Sequence, residues 1–255
     1  VTAQVLADFV SGQRGDRPVP KRDFILDMCH DMSVLDVGCV QHSWKMAVNN
    51  PRWLHGALRG VASSCVGVDY LADDVAELRK RGYDIVYGNV LEDPPPGRFD
   101  RVVLGDILEH VEDPATLLSY VAEALTDDGL AIITTPNPFY LGQFITIGAR
   151  GAPTVNPEHV AFYDPITFTS LIERSPLELV EMRWLAPSFP ALWDAGSRVV
   201  RKVVSPAIHK VGSLLRSRRP YLNSDFAGVV RISRGDGPAA IADRAAGVAR
   251  FHGVA

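Results

Sequence analysis

Cysteine is scarce in this chain: Cys29, Cys39 and Cys65 are too few, and odd in number, to form a disulfide framework, which favours a reducing compartment. No apolar run approaches the roughly 20 residues that cross a bilayer, and the first residues lack a basic stretch followed by an apolar one. No transmembrane segment and a cytoplasmic location are therefore expected. Charge of one sign is not in excess either, with 26 basic against 30 acidic residues and a net charge of -4. That balance excludes a general attraction to nucleic acid or to acidic membranes, so an anionic partner has to be met locally. No internal repeat is present. What the chain does have is 47% hydrophobic residues over 255 positions, enough for a sizeable core in a single domain.

Short β-branched runs begin after Ser33 and alternate with helical patterns: Val34 to Val37, Ser64 to Val68, Ile85 to Tyr87, Arg101 to Leu104 and Leu130 to Thr134. This alternation predicts an α/β, Rossmann-like fold, a parallel doubly wound sheet whose ligand crevice opens at the carboxyl ends of the strands. Helices are predicted over Lys21 to Cys29, Ala72 to Arg81 and Pro114 to Leu125, the last ended by the turn Thr126-Asp127-Asp128-Gly129. Two further strands, Leu177 to Trp184 and Phe226 to Ser233, flank Pro190 to Pro220, where Arg198, Arg201, Lys202, Lys210, Arg216, Arg218 and Arg219 interleave with valine, isoleucine and leucine. That basic amphipathic insertion reads as a lid or a homodimer contact ahead of a membrane-surface helix or a solvated one. The expected organisation is one domain over 1–255: an N-terminal arm and helix (1–31), a cofactor-binding core (32–185), a basic helical insertion (186–225), a last strand (226–234) and a tail (235–255).

The sharpest local signal is Val34-Leu35-Asp36-Val37-Gly38-Cys39, an apolar strand entering an acidic residue and a glycine that lets the backbone come close to a ligand. The further glycines of a pyrophosphate-binding G-x-G-x-x-G motif are missing, since Gly38 is followed by Cys39, Val40, Gln41 and His42; a nicotinamide-dependent oxidoreductase is disfavoured. Asp69, in Val66-Gly67-Val68-Asp69-Tyr70, ends the second strand, where one carboxylate can accept from both hydroxyls of a ribose. The stretch Asn49 to His55, with Trp53, is inserted ahead of that strand and is expected to line or cover the cofactor mouth. Asn89 and Val90 follow the third strand, where the Asn89 amide can bond an adenine edge or merely serve a turn.

In order along the chain, Leu35-Asp36-Val37-Gly38-Cys39, Gly67-Val68-Asp69, Phe99-Asp100-Arg101-Val102-Val103, Leu108-Glu109-His110-Val111 and Asp128-Gly129-Leu130 resemble the ordered motifs of class I S-adenosylmethionine (AdoMet)-dependent methyltransferases. The resemblance runs from about residue 33 to 184. It implies a seven-stranded sheet with helices on both faces and an antiparallel last strand, and AdoMet as cofactor. It also implies that Asp36 and Gly38 lie under the methionine portion, that Asp69 holds the ribose and that Asn89 with Val90 flanks adenine. Tyr70, Trp53 and Gly105 complete the expected cofactor contacts. The chain departs from that pattern where Gln41 or His42 replaces a common second glycine and where Asn89 replaces a frequent Asp.

Methyl transfer is an in-line displacement, and an aliphatic hydroxyl acceptor needs a positioned base or a metal to lose its proton. After the fourth strand, Gly105-Asp106-Ile107-Leu108-Glu109-His110 would put Asp106, Glu109 and His110 on one face of a helical turn. The alternative is a polar helix start with acids at its positive end. A similar acidic-x-x-Glu-His stretch occurs in ubiquinone-biosynthesis O-methyltransferases, where it is associated with a divalent cation. Two carboxylates favour Mg²⁺, and a histidine ligand tilts the set towards Mn²⁺ or Zn²⁺. His159, in Asn156-Pro157-Glu158-His159, is the expected general base or a further metal ligand; His30, His42 and His55 are weaker candidates, and His209 and His252 read as surface. Trp53, Phe139, Tyr140, Phe162, Tyr163, Phe189 and Trp193 can form a platform for a sugar or aromatic ring or can pack in the core. Thr134-Thr135-Pro136-Asn137 followed by Asn156 to His159 is similar to actinobacterial sugar O-methyltransferases, including those of methylmannose polysaccharides. The expected acceptor is therefore a small hydroxylated molecule, a saccharide first and a quinone, phenol or amine as alternatives. A non-catalytic AdoMet-binding or membrane-peripheral protein would keep Asp69 without needing His159.

Overall fold

The computed structural model describes residues 5–7, 9, 18–186, 212–216 and 218–234. The tail 235–255 and most of the basic insertion, with Phe189, Trp193 and His209, lie outside the described residues, as does His252. In chain order the main elements are β1 (Val19–Pro20), α1 (Lys21–Cys29), β2 (Ser33–Val37), α2 (Trp44–Asn49), α3 (Leu54–Leu58), β3 (Ser64–Asp69), α4 (Ala72–Lys80), β4 (Ile85–Tyr87) and β5 (Phe99–Gly105). A 3-10 turn (Leu108–His110) then leads to α5 (Pro114–Ala124), β6 (Leu125–Pro136), α6 (Leu141–Arg150), α7 (Pro165–Ile172), β7 (Leu177–Ala186) and β8 (Asp225–Ile232).

The strands form one sheet in the order β1-β7-β8-β6-β5-β2-β3-β4. Strands β2 to β6 run parallel to one another, and β8 is antiparallel to both β6 and β7. The expected seven strands are all present, with the last one antiparallel. Among the described residues the count is corrected to eight by β1, whose two residues pair with Leu185 and Ala186 of β7. A two-residue bridge has no periodicity of its own, and only its position against the sheet edge makes it a strand.

Alternation along the strands divides the core in two. Leu35, Val102, Leu104, Ala131 and Ile133 pack on one face with Leu117, Val121 and Phe168 of α5 and α7. Val34, Val103 and Ile132 face the other way, onto Ile25 and Cys29 of α1 and Leu58 of α3. Both faces are thus covered by helices, as a parallel sheet requires. Local chemistry sets the helix starts: Asp113 accepts from the Thr116 amide at 3.1 Å ahead of Pro114, and Asp164 and Thr167 form a reciprocal capping box ahead of α7. The turn expected at Thr126 to Gly129 is instead part of β6. Leu125 already pairs with Phe99 and Leu130 with Arg101, so these residues are a bulge inside one long strand.

Candidate active site

The sequence brings its polar motifs to the carboxyl ends of adjacent strands. Past β2 the chain turns at Gly38, whose φ of 71° suits glycine and whose amide donates to the Val68 carbonyl at 2.9 Å. A Cβ there would meet Ile107 Cδ1 at 2.2 Å, so a larger residue would have to displace that side chain as well as adopt the left-handed backbone. Asp36 is buried and its carboxylate lies 3.1 Å from Nδ1 of His55, itself fully buried on α3. Trp53, in the stretch expected to line or cover the cofactor mouth, sits in the core with Val75 and Leu78, and its indole N–H donates to the Cys39 carbonyl at 2.6 Å. It props the Gly38 turn from behind. An amphipathic indole satisfies its apolar face and its one donor best in that position.

Asp69 closes β3. One carboxylate oxygen accepts from the Val40 amide at 2.9 Å and the other from the Leu71 amide at 3.1 Å. Burial raises its pKa, and these amides oppose the rise. Two carboxylate oxygens offer about four lone-pair directions, so acceptor capacity remains for a pair of hydroxyls. Tyr70 beside it is exposed. Asn89 realises the turn alternative, its carbonyl oxygen accepting from Leu91 at 3.1 Å, with Val90 next to it half-buried. Gly105 ends β5, and a Cβ on it would lie 3.2 Å from Leu54 Cδ2. The glycine turn, the Asp69 carboxylate and the Asn89 loop fit an adenosine-bearing cofactor.

The face expected to carry Asp106, Glu109 and His110 does not form as such. Asp106 has a φ of 58° and the helical part is only the 3-10 turn that follows. The Asp106 carboxylate is held at 2.8 Å and 2.9 Å by Lys21 Nζ and at 2.9 Å by the Thr134 hydroxyl. Lys21 also donates to Asp225 at 2.9 Å. Burial disfavours the ammonium, but Asp106 and Asp225 outweigh it and raise the Lys21 pKa above the ordinary lysine range. Lys21 was not a sequence candidate, and nothing local marks it; its partner lies 85 positions away.

Asp106 thus leaves the expected metal set, while the other three residues come together. Glu109, His110 and His159 each offer a ligand atom, and these atoms lie within 4.8 Å of one another. The imidazole rings of His110 and His159 meet edge to face at 4.7 Å. The loop carrying His159 is held by the Val160 amide donating to the Glu109 carbonyl at 2.9 Å, and His110 Nδ1 lies 3.2 Å from the Glu158 carbonyl. Glu109 is buried; one oxygen accepts from the Thr135 hydroxyl at 3.1 Å and the other, Oε1, is buried without a partner. Burial first, and Asp106 second, push its pKa up to about 7. Burial and then His110 lower the His159 pKa below 6.5, against the pull of Asp106 and Glu158. A buried oxygen without a partner beside two imidazoles fits a small divalent cation, and equally a shared proton.

Not every polar residue of the expected acceptor side faces the crevice. Asn137 is buried, with its amide nitrogen donating to the Tyr221 and Asn223 carbonyls at 2.8 Å each, and it clamps the loop after β6 to the approach of β8. Tyr163 packs partly into the core, whereas Phe139 and Phe162 are exposed.

Comparison with known proteins shows what the chain is similar to. A probable S-adenosylmethionine-dependent methyltransferase of Mycolicibacterium smegmatis is 29% identical over 156 residues, 59% of this chain and 54% of that protein. A ubiquinone biosynthesis O-methyltransferase of Burkholderia ambifaria is 26% identical over 145 residues, 51% of this chain and 62% of that protein. The chain therefore spans between half and two thirds of the length of these relatives. The O-methyltransferase of a trans-AT polyketide synthase multienzyme of Brevibacillus brevis, solved with S-adenosyl-L-homocysteine, shares the fold at a TM-score of 0.52 and 13% identity, over 91% of this chain and 77% of that one. Residues 12–182, more than half of the chain, match the model of the methyltransferase domain, and with the strand order and the glycine turn in place the chain belongs to the methyltransferase-domain family of enzymes.

Proposed function

We propose that the chain is an AdoMet-dependent O-methyltransferase that acts on a hydroxyl of a small acceptor. The observation that carries the reading is the convergence of Glu109, His110 and His159 beside the sheet edge that holds Gly38 and Asp69. Bound AdoMet supplies an electrophilic methyl group. The chain's own part is to orient, to exclude water and to take a proton. Asp69 accepts from the ribose hydroxyls, Asp36 and Gly38 shape the seat of the methionine portion, and Asn89 with Val90 borders the adenine. His159 is neutral near pH 7 because its pKa is lowered, so it can draw the proton from an acceptor hydroxyl. Asp106 and Glu158, which act on His159 in the opposite direction, steady the imidazolium that results.

A second reading is favoured by the Glu109 oxygen without a partner: Glu109, His110 and His159 hold a divalent cation that lowers the pKa of the acceptor hydroxyl. With Asp106 bound to Lys21, the set is one carboxylate and two imidazoles. That composition suits Mn²⁺ or Zn²⁺ better than the Mg²⁺ expected from two carboxylates. The saccharide acceptor rests on the sequence resemblance of Thr134 to Asn137 and Asn156 to His159; Asn137, spent as a clamp, adds nothing to it. The purified chain incubated with labelled AdoMet and a panel of hydroxylated acceptors, with and without chelator, tests both readings. Turnover that survives chelation and is lost in His159→Ala supports the base. Turnover lost to chelator and restored by Mn²⁺ supports the cation. Full activity of His159→Ala and Glu109→Ala in chelator overturns both.

A further inference from the structure

His55 is a titratable side chain that the proposed chemistry leaves unused, and it is fully buried on α3. Its ring fills space that the sheet leaves open. Asp36 on β2 pairs with Gly67 on β3, and a Cβ on Gly67 would lie 3.0 Å from His55 Cε1 and 2.5 Å from Cys39 Sγ. The missing side chain is what admits an imidazole beside Asp36. Trp53 and Tyr83 tilt against the ring, with centroids at 5.4 Å and 6.2 Å, so aromatic walls fix its plane.

Hydrogen bonding then selects the tautomer. Nδ1 lies 3.1 Å from Asp36 Oδ2 and 3.8 Å from Cys65 Sγ, whereas Nε2 is buried without a partner. A proton on Nε2 would be a buried donor with nothing to accept it, which is costlier than a bare lone pair. The proton therefore belongs on Nδ1, donated to Asp36, and the imidazole is neutral. With that gap taken by Nδ1–H, Asp36 faces the ring as a carboxylate. Asp36 is only 3% exposed, and a carboxylate so far from water keeps its charge only where a donor meets it. Two residues further on, the chain makes the left-handed turn at Gly38.

We propose that His55 is a positioning residue for the cofactor: through Nδ1–H it holds Asp36 as an oriented anion behind the Gly38 turn, where it attracts the ammonium group of the methionine portion. The inference rests on the AdoMet reading of this site. Calorimetric titration of the full chain with AdoMet, and with methylthioadenosine, which has the nucleoside but not the amino acid end, tests it in two amide variants. The amide nitrogen of His55→Asn can stand in for Nδ1, whereas that of His55→Gln stands in for Nε2 and gives Asp36 nothing. His55→Gln should weaken AdoMet roughly tenfold or more and leave methylthioadenosine unchanged. His55→Asn should stay within about twofold of wild type for both ligands. In an Asp36→Asn background the difference between the two amides should vanish, because His55 acts through Asp36. Nitrogen NMR of the histidine-labelled wild type needs no variant to fold, and should find the buried ring protonated at Nδ1 and bare at Nε2. An Nε2–H tautomer overturns the proposal, as does unchanged AdoMet affinity in His55→Gln. An equal loss of both ligands also overturns it, since that marks a histidine that only supports the fold. Wild type that binds no AdoMet at all would overturn the cofactor reading itself, and this inference with it.

Discussion

The two halves of the sheet edge are built by different means. On the cofactor side, over β2, β3 and β4, the site is made of backbone and of residues close in sequence: the Gly38 turn, the Val40 and Leu71 amides on Asp69, and the Asn89 turn. On the acceptor side, over β5, β6 and β8, it is made of side chains drawn from far apart: Lys21 on Asp106 and Asp225, Glu158 on His110, Thr135 on Glu109. The first half holds its two carboxylates, Asp36 and Asp69, with a histidine ring and backbone amides. The second crowds carboxylates and imidazoles into a partly dry space, and its groups with shifted pKa values are those that chemistry can use.

The largest effect should come from breaking the acceptor side at its proposed base. His159→Ala is expected to lower turnover about 100- to 10,000-fold, the range of a lost general base, while AdoMet affinity stays within twofold of wild type, roughly the scatter of independent sites. Isothermal calorimetry and single-turnover rates on the same preparation separate the two sides. A parallel loss of AdoMet affinity would mean that the halves are not independent. Next in size is Lys21→Met. It leaves Asp106 and Asp225 without their shared cation in a site where Lys21 is only 11% exposed, and denaturant unfolding at pH 7 should show a loss of about 3 kcal/mol.

The same contrast explains what could be read from the sequence. The Asp36 to Gly38 turn, Asp69 and the helix over Lys21 to Cys29 were legible because strand, turn and cap preferences act over a few residues. The convergence of Glu109, His110 and His159 was half legible, since the motif flagged each residue but not the Val160 bond to Glu109 that brings the loop home. Asp106 was misplaced because helical spacing was assumed where a left-handed residue intervenes. Lys21 was invisible, since only the sheet brings α1, β5 and β8 together. Trp53 and Asn137 show a further limit: an aromatic or an amide beside a motif can serve the frame of the site and not its ligand, and composition does not distinguish the two.

On the cofactor side, Asp69→Ala should weaken AdoMet binding by about 1.5 to 3 kcal/mol, a charge-assisted hydrogen bond's worth. It also frees the Val40 and Leu71 amides, so Asp69→Asn, whose single carbonyl oxygen can still accept from one of them, should fold more stably than Asp69→Ala and bind AdoMet almost as poorly. Calorimetric titration of both variants checks this. Unchanged affinity in Asp69→Ala would remove the ribose assignment.

The smallest expected effect lies in the pH dependence of stability, and it sharpens the comparison most directly. Glu109 has an ordinary pKa of 4.5 and a folded value of about 7, set first by burial and then by Asp106. Between those two pH values the folded chain binds more protons at this site than the unfolded chain, so stability falls as pH rises through that window and levels off above it. Below pH 4.5 both states hold the proton and Glu109 costs nothing. The displacement corresponds to at most roughly 3 kcal/mol, and relaxation of the site reduces it to about 1 to 2 kcal/mol. Glu109→Gln keeps the shape and can still accept from Thr135, but cannot ionise. The variant should therefore match wild type near pH 4 and exceed it by that amount near pH 8, measured as denaturant midpoints with equal slopes. Its turnover should fall at the same time, because the group that strains the fold at neutral pH is the one placed beside His159. A stability difference that is constant across pH would show that Glu109 is held ionised, and the acceptor side would then be as electrostatically settled as the cofactor side.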